Sequence, residues 1–204
     1  MFWDRVAGVY DIFANVINRR ANRALCDEVA RLIRPTDRVL ECACGTGLLT
    51  GVIAPRCRSL TATDFSVKML RQAEKKCGKY GNVQFRQGNI LRLDEPDAYY
   101  DAVVAANVIH LLDEPYRALA EFERVCRRGG RIIIPTYMNR TDRGGTNRVS
   151  GVIGRAGADF KREFTLESYR QFFADAGYTD AGYTDAGYTL CQGRIPCAVA
   201  VLRK

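Results

Sequence analysis

The sequence is poor in the residues and runs that define several large classes of protein. It has one histidine, His110, and no Cys-x-x-Cys pair among its eight cysteines, so we expect no zinc site and no other metal ligands. The longest uncharged run in the middle of the chain, residues 102–112, is too short to span a bilayer. The first residues include Asp4 and no apolar stretch, so we expect no signal peptide, reduced cysteines and a cytoplasmic protein.

The composition is that of an ordinary globular protein. The 204 residues are 47% hydrophobic and 26% charged, which suits a single domain over residues 1–204. Lys and Arg number 31 against 23 Asp and Glu, a formal net charge of +8. A surplus of this size permits a nucleic-acid, anionic-lipid or phosphorylated partner and selects none of them.

Strand and helix patterns alternate along most of the chain. Short apolar runs predict strands, and apolar residues at helical spacing predict helices between them. The predicted strands are 38–42, 59–63, 82–87, 101–106, 131–134 and 195–202, and the predicted helices after the first strand are about 48–55, 67–77, 115–126 and 165–176. Apolar strands separated by amphipathic helices predict a doubly wound α/β fold, with a parallel sheet covered on both faces.

Two segments near the end of the chain depart from this alternation. Residues 139–162 are rich in Gly and Arg and show no clear period. Residues 175–189 repeat Asp-Ala-Gly-Tyr-Thr three times, a period too short for a solenoid unit. We interpret the repeat as a tandem duplication that lengthened one surface loop, which adds only about 1 kcal/mol of closure entropy.

A glycine-containing turn follows the first predicted strand and carries most of the functional information. Gly45 and Gly47 let the backbone approach a ligand at the end of the sheet, and Asp64 ends the next strand, where it can accept both ribose hydroxyls. Glu41 before the turn would repel a pyrophosphate but suits a ligand with an ammonium and a sulfonium. Thr50 replaces the third glycine of the dinucleotide fingerprint. The pattern therefore favours S-adenosylmethionine over NAD.

Five ordered segments resemble the motifs of class I S-adenosylmethionine-dependent methyltransferases, and in particular the group acting on small molecules, quinones and phospholipids. They are Val39–Gly47, Asp64–Leu70, Gly88–Ile90, Tyr100–His110 and Arg127–Arg131. The resemblance covers residues 5–135 well and the rest loosely. It implies a Rossmann-like, mostly parallel sheet with an antiparallel last strand, and a cofactor-binding core over residues 36–135. The sequence departs from the family at Ala43, where Gly is common, and at Arg128, where Pro is usual.

The resemblance also implies roles for individual residues. Glu41 and the turn containing Ala43, Cys44, Gly45 and Gly47 would hold the methionine end of the cofactor. Asp64 would bind the ribose, and Phe65, Asn89 and Ile90 would contact the adenine. Asn107 would face the reacting methyl group. Phe65 could instead be a core residue, and Asn89 only a turn residue. Cys42 and Cys44 are better explained as small residues filling a tight turn than as ligands or nucleophiles.

Two further residues are candidates for catalysis. His110 follows the fourth strand, where it could act as a base on the acceptor; the alternative is a packing histidine. In similar enzymes an N-terminal helix closes over the cofactor as a lid, which would place residues 1–22, with Tyr10, over the methionine end. The alternative for this segment is an amphipathic helix packed on the edge of the sheet.

The methyl acceptor is poorly encoded, because methyl transfer needs alignment and a dry site more than dedicated groups. The segment after the fourth strand lacks the Pro-Pro-aromatic motif of enzymes that methylate base amines, so we expect a small-molecule or lipid-related acceptor. The alternatives are an RNA methyltransferase, a non-catalytic S-adenosylmethionine-binding protein and, least favoured, an NAD-dependent reductase.

The basic residues of 138–162 could face an anionic membrane surface or simply be solvated. Nucleic acid is less favoured as the partner of this segment because it contains few aromatic residues. The oligomeric state is not encoded.

Overall fold

A computed structural model describes residues 18–138, 161–178 and 187–204. Seven strands form one sheet: β1 (Arg38–Cys42), β2 (Ser59–Asp64), β3 (Val83–Gln87), β4 (Tyr100–Ala105), β5 (Cys126–Tyr137), β6 (Gly187–Cys191) and β7 (Cys197–Arg203). The helices are α1 (Arg19–Leu32), α2 (Thr50–Ile53), α3 (Val67–Cys77), α4 (Pro115–Val125) and α5 (Leu166–Asp175), with 3₁₀ turns at Ala54–Arg56 and Ile109–Leu111.

Local signals set several of the helix ends. Ser66 begins α3 by accepting a hydrogen bond at its side chain from the Met69 N–H at 3.2 Å. Pro115 opens α4 at a position where no N–H is needed. Thr165 and Ser168 form a reciprocal capping box at the start of α5. These contacts involve neighbours in sequence, so the sequence pattern could predict them.

The strand order is β3-β2-β1-β4-β5-β7-β6. The first five strands in this order pair in parallel, and β7 runs antiparallel between β5 and β6. This confirms the predicted doubly wound, mostly parallel sheet with an antiparallel strand at the end of the chain. The chain reverses its winding between β1 and β4, and in such sheets ligands bind at the carboxyl ends of the strands at that point.

Helices cover both faces of the sheet, and each strand alternates between the two cores. Leu40, Val103 and Ile132 face one core with the buried side chains of α4 and α5. Val39, Val104 and Ile133 face the other, where Leu25 and Val29 of α1 pack. Since both faces of the central strands are buried, their sequences are continuously apolar rather than alternating.

The structure differs from the sequence prediction at two places. We predicted that Gly129–Gly130 would end α4 and that β5 would begin at residue 131, but α4 ends at Val125 and β5 begins at Cys126. The register against β4 shifts there, and a side chain at Gly130 would lie 2.6 Å from the Cys126 sulfur and 2.8 Å from the Arg127 oxygen. The end of the third repeat, Gly187–Thr189, belongs to β6 rather than to a loop.

The remaining predictions about secondary structure concern parts of the chain that lie outside the described residues. These include residues 1–17 with Tyr10, most of the Gly/Arg-rich segment, and residues 179–186 of the repeat. Across the described ranges, no helix combines the length and hydropathy that crossing a membrane requires. All eight cysteines are free thiols.

Candidate functional site

A cavity of about 410 Å³ opens at the carboxyl ends of β1, β2 and β4, where the winding reverses. Its volume lies within the usual range for small-ligand sites. Several wall residues are predicted cofactor contacts: Glu41, Ala43, Cys44, Gly45, Asp64, Phe65, Asn89, Ile90 and Asn107. The structure thus brings nearly all the predicted cofactor residues to one cavity, although they come from four separate loops.

The turn after β1 contains three residues with left-handed backbone conformations. Ala43, Gly45 and Gly47 have φ of +54°, +55° and +87°. A side chain at Gly45 would meet nothing within 4 Å, so the absence of one leaves the cavity wall open to a ligand. A side chain at Gly47 would lie 3.1 Å from the Ala73 Cα and 3.2 Å from the Cys77 sulfur, so this glycine allows α3 to pack against the turn.

Glu41 is a buried carboxylic acid at the end of β1, 2% exposed. The Thr50 hydroxyl donates a hydrogen bond to its Oε2 at 2.6 Å. The pKa of Glu41 is raised to about 8, mainly by burial; the hydrogen bonds from Thr50 oppose the shift, and the Asp64 charge adds to it. At neutral pH the side chain is therefore largely protonated, and a cation in the cavity would favour its ionised form.

Thr50 is a hydrogen-bond partner of Glu41 that the sequence analysis did not identify. It entered that analysis only as the residue in place of a third glycine. In the structure it begins α2 and is fully buried against Glu41. The signal was present in the sequence as a hydroxyl nine residues after an acid, but that spacing has meaning only once the turn folds back on β1.

Asp64 orders the turn as well as facing the cavity. Its Oδ2 accepts a hydrogen bond from the Gly45 N–H and its Oδ1 accepts one from the Ser66 N–H, each at 2.8 Å. The Cys44 N–H also donates to the Thr63 oxygen at 2.9 Å. The end of β2 therefore holds the glycine turn in place.

The opposite part of the cavity has an exposed aromatic side chain and a turn. Phe65 is 51% exposed and lines the cavity, which excludes the alternative that it is a core residue. The Asn89 Oδ1 accepts a hydrogen bond from the Leu91 N–H at 2.9 Å, so Asn89 does stabilise a turn. It also lines the cavity beside Ile90, and the two roles are compatible because an amide oxygen has two lone pairs.

Asn107 joins the ends of two strands. It has φ of +53°, its N–H donates to the Pro135 oxygen at 2.7 Å, and its Oδ1 accepts a hydrogen bond from the Tyr137 N–H at 3.0 Å. The Tyr137 hydroxyl donates to the Asn22 Oδ1 of α1 at 2.5 Å. Tyr137 also lines the cavity and was missed by sequence analysis, since a tyrosine ending an apolar strand carries no functional signal.

His110 lies in the 3₁₀ turn Ile109–Leu111 and is 3% exposed. Its neighbours Leu111 and Leu112 line the cavity, whereas His110 is not among the described lining residues. Burial lowers the pKa of His110 to about 4, so the imidazole is neutral at pH 7. Its backbone oxygen accepts hydrogen bonds from the N–H groups of Lys161 and Arg162, at 3.0 and 3.1 Å. A role as catalytic base remains a prediction.

Residues 40–134 match the family model described as a methyltransferase domain. The chain is 36% identical over 121 residues to the phosphatidylethanolamine N-methyltransferase of Cereibacter sphaeroides, a match covering 58% of this chain and 59% of that protein. It is 31% identical over 143 residues to the demethylmenaquinone methyltransferase of Renibacterium salmoninarum, covering 68% and 58% respectively. The chain thus spans about three fifths of the length of these curated relatives.

The fold is similar to the solved structure of an S-adenosylmethionine-dependent methyltransferase from Thermotoga maritima. The TM-score is 0.75 at 19% identity, and the match covers 100% of this chain and 99% of that one. The likeness shows that the chain shares the Rossmann-like fold of that structure, in agreement with its sheet order. Residues 40–134 thus match a methyltransferase domain model, in agreement with the resemblance of the sequence motifs.

Proposed function

We propose that the protein binds S-adenosylmethionine in this cavity and transfers its methyl group to a small-molecule or lipid-related acceptor. The observation that carries the proposal is the pairing of two acids at adjacent strand ends, Glu41 and Asp64, across a glycine turn whose wall is open at Gly45. An acid beside the turn is suited to a cationic ligand and unsuited to a pyrophosphate.

The residues of the cavity fit the chemical parts of this cofactor. Asp64 would accept hydrogen bonds from the ribose hydroxyls, and the exposed ring of Phe65 would pack on the adenine with Asn89 and Ile90 at its edge. Glu41, Ala43, Cys44, Gly45 and Asn107 would surround the methionine end. Gly47 would act indirectly, through the packing of the turn on α3.

When bound, the sulfonium group of the cofactor supplies an activated methyl group for in-line displacement. The protein's contribution is to orient the two reactants and to exclude water. The turn held by Asp64 and the strand ends joined by Asn107 provide a rigid wall for this purpose. A lid from the predicted segment 1–22, with Tyr10 and without the packed residues 19–22 of α1, is part of the proposal.

The acceptor class is supported by the lining of the cavity and by the names of the relatives. Five of the apolar wall residues are Leu48, Ile90, Leu91, Leu111 and Leu112, and no Lys, Arg or His lies among the described lining residues. Such a wall suits an apolar acceptor better than a polyanionic one. The two relatives described above are named for a phospholipid and a quinone precursor.

The cofactor assignment is tested by calorimetric titration with S-adenosylmethionine, S-adenosylhomocysteine and NAD in parallel. We expect the two sulfur ligands to bind with micromolar dissociation constants, which correspond to about 8 kcal/mol of binding free energy. We expect no binding of NAD. Binding of NAD alone would overturn the assignment of Glu41. Binding of neither sulfur ligand by a chain with a cooperative thermal transition would overturn the proposed cofactor.

The acceptor assignment needs a second experiment. The protein is incubated with cofactor labelled in the methyl group and with phosphatidylethanolamine vesicles, demethylmenaquinone in detergent, or total RNA. We expect label in an organic-soluble product. Label in RNA alone would contradict the acceptor class without affecting the cofactor. Cofactor binding with no transfer to any acceptor would favour a non-catalytic binding protein.

A further inference from the structure

A cluster of basic residues lies at the amino-terminal edge of the sheet, opposite the cavity. We call it the basic edge, and its members are Arg34, Arg38, Arg58, Arg127, Arg128, Arg131, Arg203 and Lys204. The strand register brings them together: Arg38 pairs with Ser59, the residue after Arg58, and Arg131 pairs with Arg203. The Lys204 N–H donates to the Gly130 oxygen at 3.3 Å, which places Lys204 beside Arg128.

The acids at this edge are already used inside the protein. Asp37 accepts a hydrogen bond from the Arg34 N–H at 2.8 Å and forms a buried ion pair with Arg131. Asp101 accepts from the Arg38 N–H at 2.7 Å and from Arg127 Nε at 2.5 Å. Counted with these two acids, the eight basic side chains of the basic edge leave a net charge of +6. The formal net charge of the whole chain is +8.

Four of the arginines are available to a partner. Arg34, Arg58, Arg128 and Arg203 are exposed, and none of them forms an ion pair with a described residue. Seven of the eight basic residues are arginine, whose planar guanidinium binds phosphate through two parallel hydrogen bonds. A phosphate-bearing partner fits this edge better than an acidic peptide would.

The shape of the basic edge selects among phosphate-bearing partners. Its residues lie at the ends of β2, β1, β5 and β7, with β4 between β1 and β5, so they form a row of about 19 Å at ordinary strand spacing. Tyr99, 41% exposed and lying under the Arg38 guanidinium at 4.4 Å, is the one exposed large apolar side chain that the described residues place here. Membrane-binding surfaces usually combine basic residues with several apolar ones that insert.

We infer that the basic edge binds the backbone of a single-stranded nucleic acid, independently of the cavity. A row of arginines can contact the phosphates of consecutive nucleotides, and Tyr99 offers an aromatic surface at its centre. The basic edge lies at the opposite end of the strands from the cavity, so the bound strand is a docking partner and not the methyl acceptor. The inference does not depend on the proposed function.

The test is fluorescence anisotropy with a labelled uridine RNA of about 16 nucleotides, at several salt concentrations. The edge variant carries Arg58→Gln, Arg128→Gln and Arg203→Gln. The control variant carries Lys68→Gln, Arg71→Gln and Lys75→Gln, which are exposed on α3. Each variant lowers the formal net charge from +8 to +5, so the two remove the same charge from different parts of the surface.

We expect the edge variant to bind RNA at least about tenfold more weakly than the original chain. The negative slope of log affinity against log salt concentration should become shallower by about 2. The control variant should stay within about twofold of the original chain. The single change Arg128→Gln should produce about a third of the slope change seen in the triple variant. The single variant replaces the triple variant in the test if the triple variant folds poorly.

Three results would overturn the inference. The first is the absence of salt-dependent RNA binding. The second is an equal loss in both triple variants, which would mean that affinity follows net charge alone. The third is edge-dependent sedimentation with vesicles containing anionic phospholipid, in the absence of RNA binding, which would make the partner a membrane.

Discussion

The two edges of the sheet use acidic side chains in opposite ways. At the amino-terminal edge, Asp37 and Asp101 are matched by arginines and by backbone N–H groups. At the carboxyl-terminal edge, Glu41 is buried against a threonine hydroxyl, with no ion pair in the described parts of the chain. Asp64 there accepts hydrogen bonds from two backbone N–H groups, that of Gly45 in the glycine turn and that of Ser66.

This difference separates stability from function. Acids matched by buried cations stabilise the fold once both are present, because removing either partner leaves an uncompensated charge. A buried acid without a cationic partner is costly in the folded chain, and it can ionise beside a cationic ligand. Among non-glycine residues of the described chain, Ala43 and Asn107 have left-handed backbone conformations at the carboxyl-terminal edge, and Ala98, just before β4, has one at the amino-terminal edge. The comparison predicts which substitutions change unfolding and which change binding.

The largest effect is expected from Arg131→Ala. It removes the partner of buried Asp37, so we expect the free energy of unfolding to fall by about 3–5 kcal/mol. Cofactor affinity of the fraction that remains folded should not change. Urea denaturation and calorimetry on the same samples measure the two quantities. A change of less than about 1 kcal/mol in unfolding would mean that the buried pair is not stabilising.

Asp64→Asn should change binding more than stability, although it also alters a side chain that accepts hydrogen bonds from the Gly45 and Ser66 N–H groups. Loss of the charge weakens the hydrogen bonds to the ribose, so we expect cofactor affinity to fall by about 1.5–3 kcal/mol. Asp94→Asn is the matched control, since Asp94 is exposed and does not line the cavity. Equal affinity in the Asp64 variant and the control would remove the ribose assignment.

Glu41 should make both stability and binding depend on pH. Its folded pKa of about 8 lies above the ordinary value of 4.5, so between them the folded chain holds a proton that the unfolded chain has lost. The free energy of unfolding should therefore fall as pH rises through this window. A cationic ligand favours the ionised form, so cofactor affinity should rise with pH, by at most about tenfold per unit, and level off near 8.

Calorimetry in buffers of different ionisation enthalpy would count the protons released on binding. Glu41→Gln, which keeps the acceptor oxygen for Thr50, should abolish the release and flatten both pH profiles. If the variant released as many protons on binding as the original chain, the pH dependence of cofactor affinity would have to come from another group.

Ala43→Gly should stabilise the protein slightly. Alanine at φ of +54° is strained and glycine is not, and the gain is partly offset by the greater freedom of glycine in the unfolded chain. We expect an increase of about 0.5–1 kcal/mol in the free energy of unfolding. A decrease in the thermal midpoint would contradict the strain argument.

The smallest effect is expected from His110→Gln. The described cavity is lined by neighbours of His110 and not by its side chain, so cofactor affinity and turnover should both stay within about twofold. Turnover is measured with whichever acceptor is labelled. A large loss of turnover with unchanged affinity would instead support His110 as the base.

Much of the fold could be predicted because its signals are local. The bounds of β1 are those predicted, the Ser66 cap is a local signal, and the alternation of apolar runs with helices predicted the doubly wound sheet. The start of β5 was missed because Gly-Gly is typical of a helix end, whereas here close packing at Gly130 requires glycine within a strand. The strand at Gly187–Thr189 was missed because its pairing with β7 is not visible in a repeated sequence.

The sequence by itself determined the order of the elements and the composition of the turn after β1, because hydrophobic period and backbone conformation depend on near neighbours. It also determined that acids end β1 and β2. Tertiary structure decided how those acids behave: burial raised the pKa of Glu41, and folding brought Thr50 against it. It also joined Asn107 to Tyr137 and gathered distant arginines into the basic edge, since contacts between remote residues exist only after the strands have paired.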